Sequence, residues 1–233
     1  EAKIAARIRH PHLVSVMDAG KDEENELFYI VMEYMDGGTV GKLLENNEKL
    51  APRDAMNIIL AVAEALSAGQ RFNIVHRDIK PANIMLTDGG DIKLCDLGLA
   101  KMVGPKDLGI TTTNLVMGSV PYMSPEQARD FTKADFRSDV YSLGATLFHI
   151  LTGSFPYNAG NPLAIIMKAT NDPTPNPCDL VEGIDPDLAS LCMKMMDKKP
   201  EERYQTPDEL LKALYEVSEK MEVHQDNERK NNV

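Results

Sequence analysis

The apolar positions of this chain recur with two different periods. Leu13–Ala19 and Leu27–Tyr34 are alternating or continuous apolar runs. The charged turn Lys21-Asp22-Glu23-Glu24-Asn25-Glu26 joins them, which predicts an antiparallel strand pair. Ile84-Met85-Leu86 and Ile92-Lys93-Leu94-Cys95 flank Asp88-Gly89-Gly90-Asp91, and that turn chemistry predicts a second hairpin. Elsewhere the period is helical. Ile4 and Ile8 share a face ahead of His10-Pro11-His12, which predicts the end of a helix over residues 1–9. Thr39–Asn46 reads as a short helix. From Pro52 to Phe72, a proline suited to a first turn precedes a stripe of Ala55, Ile58, Ile59, Val62 and Leu66. A third stripe is Val140, Leu143, Gly144, Leu147, Phe148 and Leu151, with Ser138 or Asp139 expected in its first turn and Gly153 as its stop. Further helices are predicted over residues 161–170, over Asp187–Met196, and from Thr206-Pro207 with Leu210, Leu211, Leu214 and Val217 inward. Residues 221–233 are charged and Asn-rich and are expected to be a disordered tail. Short hairpins ahead of many helices predict an α+β fold.

Composition narrows the chemistry. The chain has 233 residues and a formal net charge of −11, which argues against nucleic acid as a partner. Its three cysteines, Cys95, Cys178 and Cys192, form no CxxC pair, so a reducing cytoplasmic setting is expected and a zinc site is not. The longest apolar candidate, Met56–Leu66, is broken by Glu64 and falls short of the roughly 18–20 residues of a membrane span. The chain opens at Glu1-Ala2-Lys3, without an initiator Met and in mid-pattern, so a natural start upstream is expected.

The densest chemistry lies in residues 74–98. Asp78 is followed by Lys80 and Asn83, and the second run of the hairpin delivers Asp96 at its end, before Leu97-Gly98. Phosphoryl transfer from a nucleotide needs such a set. Magnesium takes hard oxygen ligands, which suits Asn83 and Asp96. A hydroxyl nucleophile needs a proton acceptor, which suits Asp78. The migrating phosphoryl carries spread negative charge, which Lys80 can stabilise. His76 alone reads as a packed structural histidine, and Asp78 alone as a loop-capping residue. The specificity is in the ordered set.

His76-Arg77-Asp78-Ile79-Lys80-Pro81-Ala82-Asn83 followed by Asp96-Leu97-Gly98 resembles the catalytic and metal-binding loops of eukaryotic-type Ser/Thr protein kinases. The Lys-Pro-Ala-Asn-Ile-Met and Tyr-Met-Ser-Pro-Glu-Gln-Ala-Arg stretches resemble the bacterial members most. The resemblance implies a protein-kinase-like fold. Residues 1–35 would be a remnant of the smaller, β-sheet lobe with the hinge, and residues 36–220 the mostly helical larger lobe. It implies ATP with Mg2+ (or Mn2+ in its place) and a protein substrate phosphorylated on Ser or Thr. Asp78, Lys80, Asn83 and Asp96 would be catalytic, with Asn83 and Asp96 on the metal. The Glu33 carbonyl and Met35 backbone would meet the adenine edge, with Met85 as the floor of its pocket. Glu1 stands where the family's helix glutamate stands. A plain edge strand and a solvent-facing carboxylate are the simpler readings of Glu33–Met35 and Glu1.

Residues 96–126 form a long segment that resembles an activation segment ending at Ser124-Pro125-Glu126. By position Thr111 and Thr113 are its candidate phosphosites, and Arg77 fits regulation by phosphorylation. The alternative is a polar loop whose threonines do nothing. Ser119 stands where the family has a Thr contacting the catalytic Asp and Lys. Asp139 would anchor the catalytic-loop backbone, and Arg203 would pair with Glu126 to lock the substrate platform.

Three departures matter. No Gly-rich loop and no Val-Ala-x-Lys precede Glu1, so an N-terminally truncated catalytic domain is expected, weaker in ATP binding and slower in transfer. Exposed sheet edges or apolar patches are expected where strands would have packed. Leu97 replaces the common Phe of the Asp-Phe-Gly motif. Two other function classes stay open: a non-catalytic pseudokinase-like interaction domain, and a small-molecule phosphotransferase, against which the Glu126–Arg203 platform argues. Dimerisation is left open. Relatives often carry a transmembrane segment after the domain, so a membrane anchor outside this chain is compatible with a cytoplasmic position.

Overall fold

The computed structural model describes residues 8–47, 49–95 and 118–231. The chain begins with a two-stranded antiparallel ribbon, β1 (Val16–Asp22) and β2 (Leu27–Met32), in the register Val16↔Met32 to Asp22↔Leu27 with an irregularity at Met17. The first strand starts three residues later than its apolar run suggested and takes in Lys21 and Asp22. The turn is correspondingly tight: the Asp22 carboxylate accepts from the Glu24 and Asn25 amides, and Glu26 adopts φ 54°. Most ribbon residues are exposed on both faces among the described residues. Phe28 is 83% exposed, and Met17 and Leu27 are exposed as well.

The strand segment ahead of the ribbon joins it to the larger part of the molecule. Leu13 bridges Leu94, and the Val14 and Leu94 amides donate to Leu94 and His12 carbonyls at 3.0 and 2.9 Å. Leu94 belongs to β4 (Ile92–Leu94), which pairs with β3 (Ile84–Leu86) in a short antiparallel hairpin. Residues 8–10 are not helical, and the helix expected over 1–9 otherwise falls on residues outside those described.

The rest is helical: α1 (Val40–Asn47), α2 (Pro52–Gln70), α3 (Pro125–Arg129), α4 (Phe136–Thr152), α5 (Pro162–Asn171), α6 (Pro186–Met195) and α7 (Pro207–Asn231). The core is built on α4, which is buried nearly all round, its small polar Ser138, Ser142 and Thr146 as well as its apolar stripe. It packs between α2 and α6, and α7 lies along α2. Gly144 permits the close crossing of α4 and α6, since a Cβ there would stand 2.7 Å from Met195 Cβ. Gly153 ends α4 with φ 70°, its amide returning to the His149 carbonyl at 2.8 Å.

Asp139 lies in the first turn of α4 as expected, and the N-cap itself is Asp135, whose carboxylate accepts from the Arg137 amide at 2.8 Å. Asp139 points inward. In the last helix, α7, Met221 is buried on the core, and the helical backbone continues to Asn231. Among the described residues no helix is long and apolar enough to cross a membrane.

Candidate active site

The segment from His76 to Asn83 is fixed from below by buried groups. His76 is fully buried. Its Nε2 meets the Cys95 carbonyl at 2.8 Å, and its Nδ1 accepts from the Asp78 amide at 3.3 Å. Asp139 reaches up from the first turn of α4 and takes the amides of His76 and Arg77 on its two oxygens, each at 2.8 Å. Burial of Asp139 raises its pKa, against the pull of His76 and the two amide bonds. Arg77 sits at φ 69°, a left-handed conformation unusual for any residue but glycine.

This scaffold holds up a four-residue polar network. Lys80 Nζ donates to Asp78 Oδ2 at 2.8 Å and to Ser119 Oγ at 2.7 Å. Asn83 Nδ2 donates to the Asp78 carbonyl at 2.7 Å and to Asp78 Oδ2 at 3.0 Å. Burial acts to raise the Asp78 pKa, but the hydrogen bonds from Lys80, Ser119 and Asn83 and the lysine charge outweigh it. The carboxyl is therefore held below the ordinary aspartate value and is ionised at neutral pH. Sequence positions 39 residues apart, Lys80 and Ser119, thus meet at one carboxylate.

Asn83 closes the 3₁₀ turn Pro81–Asn83, and its carbonyl accepts from the Cys95 amide at 2.9 Å. That bond brings the end of β4 beside Asn83. Asp96 follows immediately but lies outside the described residues, as do Glu1, Thr111 and Thr113. Among the described residues no three His, Cys, Asp or Glu side chains are grouped to hold a metal ion. With Asn83 Nδ2 committed to Asp78, its amide oxygen is the donor a hard cation would use. The donor set therefore fits magnesium only with Asp96 and further oxygens from a bound phosphate or water.

At the other wall, the Glu33 amide donates to the Ser15 carbonyl at 3.0 Å. The Glu33 carboxylate takes the Ser15 amide at 2.6 Å and Lys93 Nζ at 2.7 Å. Burial works to raise the pKa of Glu33, and the Lys93 and Ser15 bonds overcome it, leaving it lowered. Met35 is buried, and Met85 is half-buried in β3, opposite Lys93 and bridged to Thr39. The side-chain role of Glu33 and its partner Lys93 had no signal in the sequence, because they are brought together only by the joining of two sheets.

The platform beyond Ser119 is pinned by Glu126 and Arg203. Two parallel bonds join them, Nη1 to Oε1 at 2.6 Å and Nη2 to Oε2 at 2.9 Å, and Ser138 Oγ adds a third at 2.7 Å. Arg203 also donates to the carbonyls of Asp197 and Arg137, and its guanidinium lies 5.0 Å from the Tyr141 ring centroid. Two residues of this platform escaped the sequence reading. Tyr122 meets His149 Nδ1 at 2.7 Å, and Gln127 Nε2 donates to the Arg77 carbonyl at 2.7 Å.

Residues 1–215 match the family described as protein kinase domain. The serine/threonine-protein kinase PknB of Mycolicibacterium smegmatis is 40% identical over 222 residues, which is 94% of this chain and 35% of that protein. A probable serine/threonine-protein kinase of Clostridium acetobutylicum is 41% identical over 217 residues, 93% of this chain and 32% of that protein. The chain thus spans about a third of the length of these curated relatives. Among solved structures, the PknI kinase domain of Mycobacterium tuberculosis aligns with a TM-score of 0.70 over 92% of this chain and 74% of that one. At 24% identity that likeness shows a common fold.

Proposed function

The chain belongs to the protein kinase domain family, and from that membership we propose that it transfers the γ-phosphate of ATP to Ser and Thr hydroxyls of protein substrates. The observation that carries the reading is the junction of Asp78, Lys80, Asn83 and Ser119. It offers an ionised proton acceptor, a cation and an amide within hydrogen-bond reach of one another, at the edge of the platform that Glu126 and Arg203 support.

In this reading the substrate hydroxyl oxygen attacks the γ-phosphorus, the bond to the bridging oxygen breaks, and ADP departs. The hydroxyl proton goes to Asp78, which also orients the nucleophile. Lys80, held between Asp78 and Ser119, faces the charge that develops on the transferring group. Asn83 and Asp96 would hold Mg2+, which supplies neutralisation of the phosphate oxygens when bound. The backbone of Glu33 and Met35 would take the adenine edge and Met85 its face. Glu1 would serve the nucleotide phosphates through a neighbouring cation. Arg77, together with Thr111 and Thr113 as phosphosites, would link loop phosphorylation to the catalytic segment. Nothing on the described residues favours a non-catalytic reading, since the proton acceptor and its three partners are all present.

The test uses the natural protein that contains this chain, γ-labelled ATP, Mg2+ and a generic Ser/Thr protein. Label in phosphoserine or phosphothreonine that disappears with a chelator is the expected result. A folded, nucleotide-binding protein that labels no protein would contradict the reading.

A further inference from the structure

Gln127 is 3% exposed, and its side chain leaves the short helix α3 to meet the catalytic segment. Nε2 donates to the Arg77 carbonyl at 2.7 Å. That carbonyl belongs to the peptide group joining Arg77 to Asp78. Arg77 itself holds a left-handed φ of 69°, a conformation that relaxes unless its surroundings fix it. Asp139 Oδ1 fixes the peptide before Arg77 through its N–H, at 2.8 Å. Gln127 fixes the peptide after it at its carbonyl, while His76 Nδ1 takes the N–H of that same peptide at a longer 3.3 Å. The clamps from outside the loop, Asp139 and Gln127, come from different elements, α4 and α3.

The clamp is itself rigidly seated. The buried Ser124 caps α3, its hydroxyl accepting from the Gln127 amide at 3.3 Å. The neighbouring Glu126 is tied to Arg203 and Ser138. A residue placed here for packing alone would be apolar. Gln127 instead buries an Oε1 with no hydrogen-bond partner among the described residues, an arrangement that is unfavourable in itself. The amide is retained there for its donor.

We propose that Gln127 is a positioning residue for Asp78: it holds the Arg77–Asp78 peptide in the orientation that presents the proton acceptor. The kinetic part of this inference rests on the phosphotransfer reading, and the clamp itself does not. The substitutions are Gln127→Met, of equal length without a donor, and Gln127→Glu, which turns two acceptors toward the carbonyl. Both are made in the natural protein.

The first readout is amide hydrogen exchange over His76–Lys80, with thermal unfolding measured beside it. Both variants should exchange there about tenfold faster, with little change in α6 and α7. Unchanged exchange in both folded variants overturns the clamp. The second readout is transfer. Gln127→Met should lower kcat by about 10- to 100-fold, as sub-ångström to ångström misplacement does, and leave the KM for ATP unaltered. In an Asp78→Asn background the same substitution should change the residual rate less than twofold, because it acts through Asp78. An equal loss in that background overturns the positioning role. Should Gln127→Met not fold, Gln127→Glu is read in both assays. If the parent protein transfers no phosphate, the proposed function fails, and exchange alone decides the clamp.

Discussion

Arg203 and Glu126, 77 residues apart, meet in a two-pronged ion pair whose arginine side chain has no solvent exposure. The pair joins the start of α3 to the turn before α7. Removing one partner leaves the other buried and uncompensated. Arg203→Met is expected to destabilise the protein by about 3–5 kcal/mol in urea unfolding, and Arg203→Lys by nearly as much, since an ammonium cannot make the paired fork.

The same pair sets a pH limit. Burial acts to raise the Glu126 pKa, but the Arg203 bonds and charge and the Ser138 hydroxyl leave it lowered from 4.5. A carboxyl depressed on folding contributes stability that is complete above its unfolded pKa and is lost as pH falls through the folded one. The part of the unfolding free energy that this pair contributes should therefore be steady above about pH 5.5 and fall below pH 4.5. Arg203→Met should flatten that acid slope, and an unchanged slope would contradict the assignment.

Ser119 tests the polar network with Asp78 left in place but deprived of one of its hydrogen-bond partners. Ser119→Ala removes the oxygen that holds Lys80 on one side, and kcat should drop about tenfold with unaltered thermal stability. Ser119→Thr keeps the hydroxyl and should restore most of it. Equal activity in the Ala variant would remove Ser119 from the account.

Gly144 sets two effects against each other. Gly→Ala within a helix gains about 1 kcal/mol of propensity. Here the new Cβ would stand 2.7 Å from Met195 Cβ and 2.9 Å from Met196 Cγ. Overpacking of that kind costs about 1–3 kcal/mol. The net prediction is a loss of stability for Gly144→Ala, and a gain would mean that α6 yields easily.

Most of the helical framework was legible because periodicity survives in a single sequence. The stripes after Pro52 and before Gly153 become α2 and α4, and the charged turn between the first two runs becomes the ribbon turn. The missed details share a cause. Asp135 supplies the N-cap of α4, while Asp139 in the first turn is drawn to the His76 and Arg77 amides, a tertiary demand. Lys93 on Glu33 and Gln127 on Arg77 are likewise contacts between distant segments, which no local pattern announces. The candidate catalytic set was readable for the opposite reason, since Asp78, Lys80 and Asn83 lie within one short loop.

The exposed ribbon carries an expectation about this chain in isolation. Phe28, Leu27 and Met17 are all more than half exposed, and Tyr34 is 89% exposed. Apolar exposure on a two-stranded ribbon of this kind favours association. The isolated chain should bind a hydrophobic dye and self-associate at micromolar concentration, and Phe28→Lys with Leu27→Ser should reduce both. Equal dye binding in the double variant would place the sticky surface elsewhere.

The most direct measurement is the rate of γ-phosphate transfer from ATP and Mg2+ to a Ser/Thr protein by the natural protein and by its Asp78→Asn variant. The substitution keeps shape and the Lys80 contact but removes the proton acceptor. A loss of about 10²–10⁴-fold with unaltered folding is predicted. Equal rates for the two proteins would contradict the assignment of Asp78, and with it the account of the network built around it.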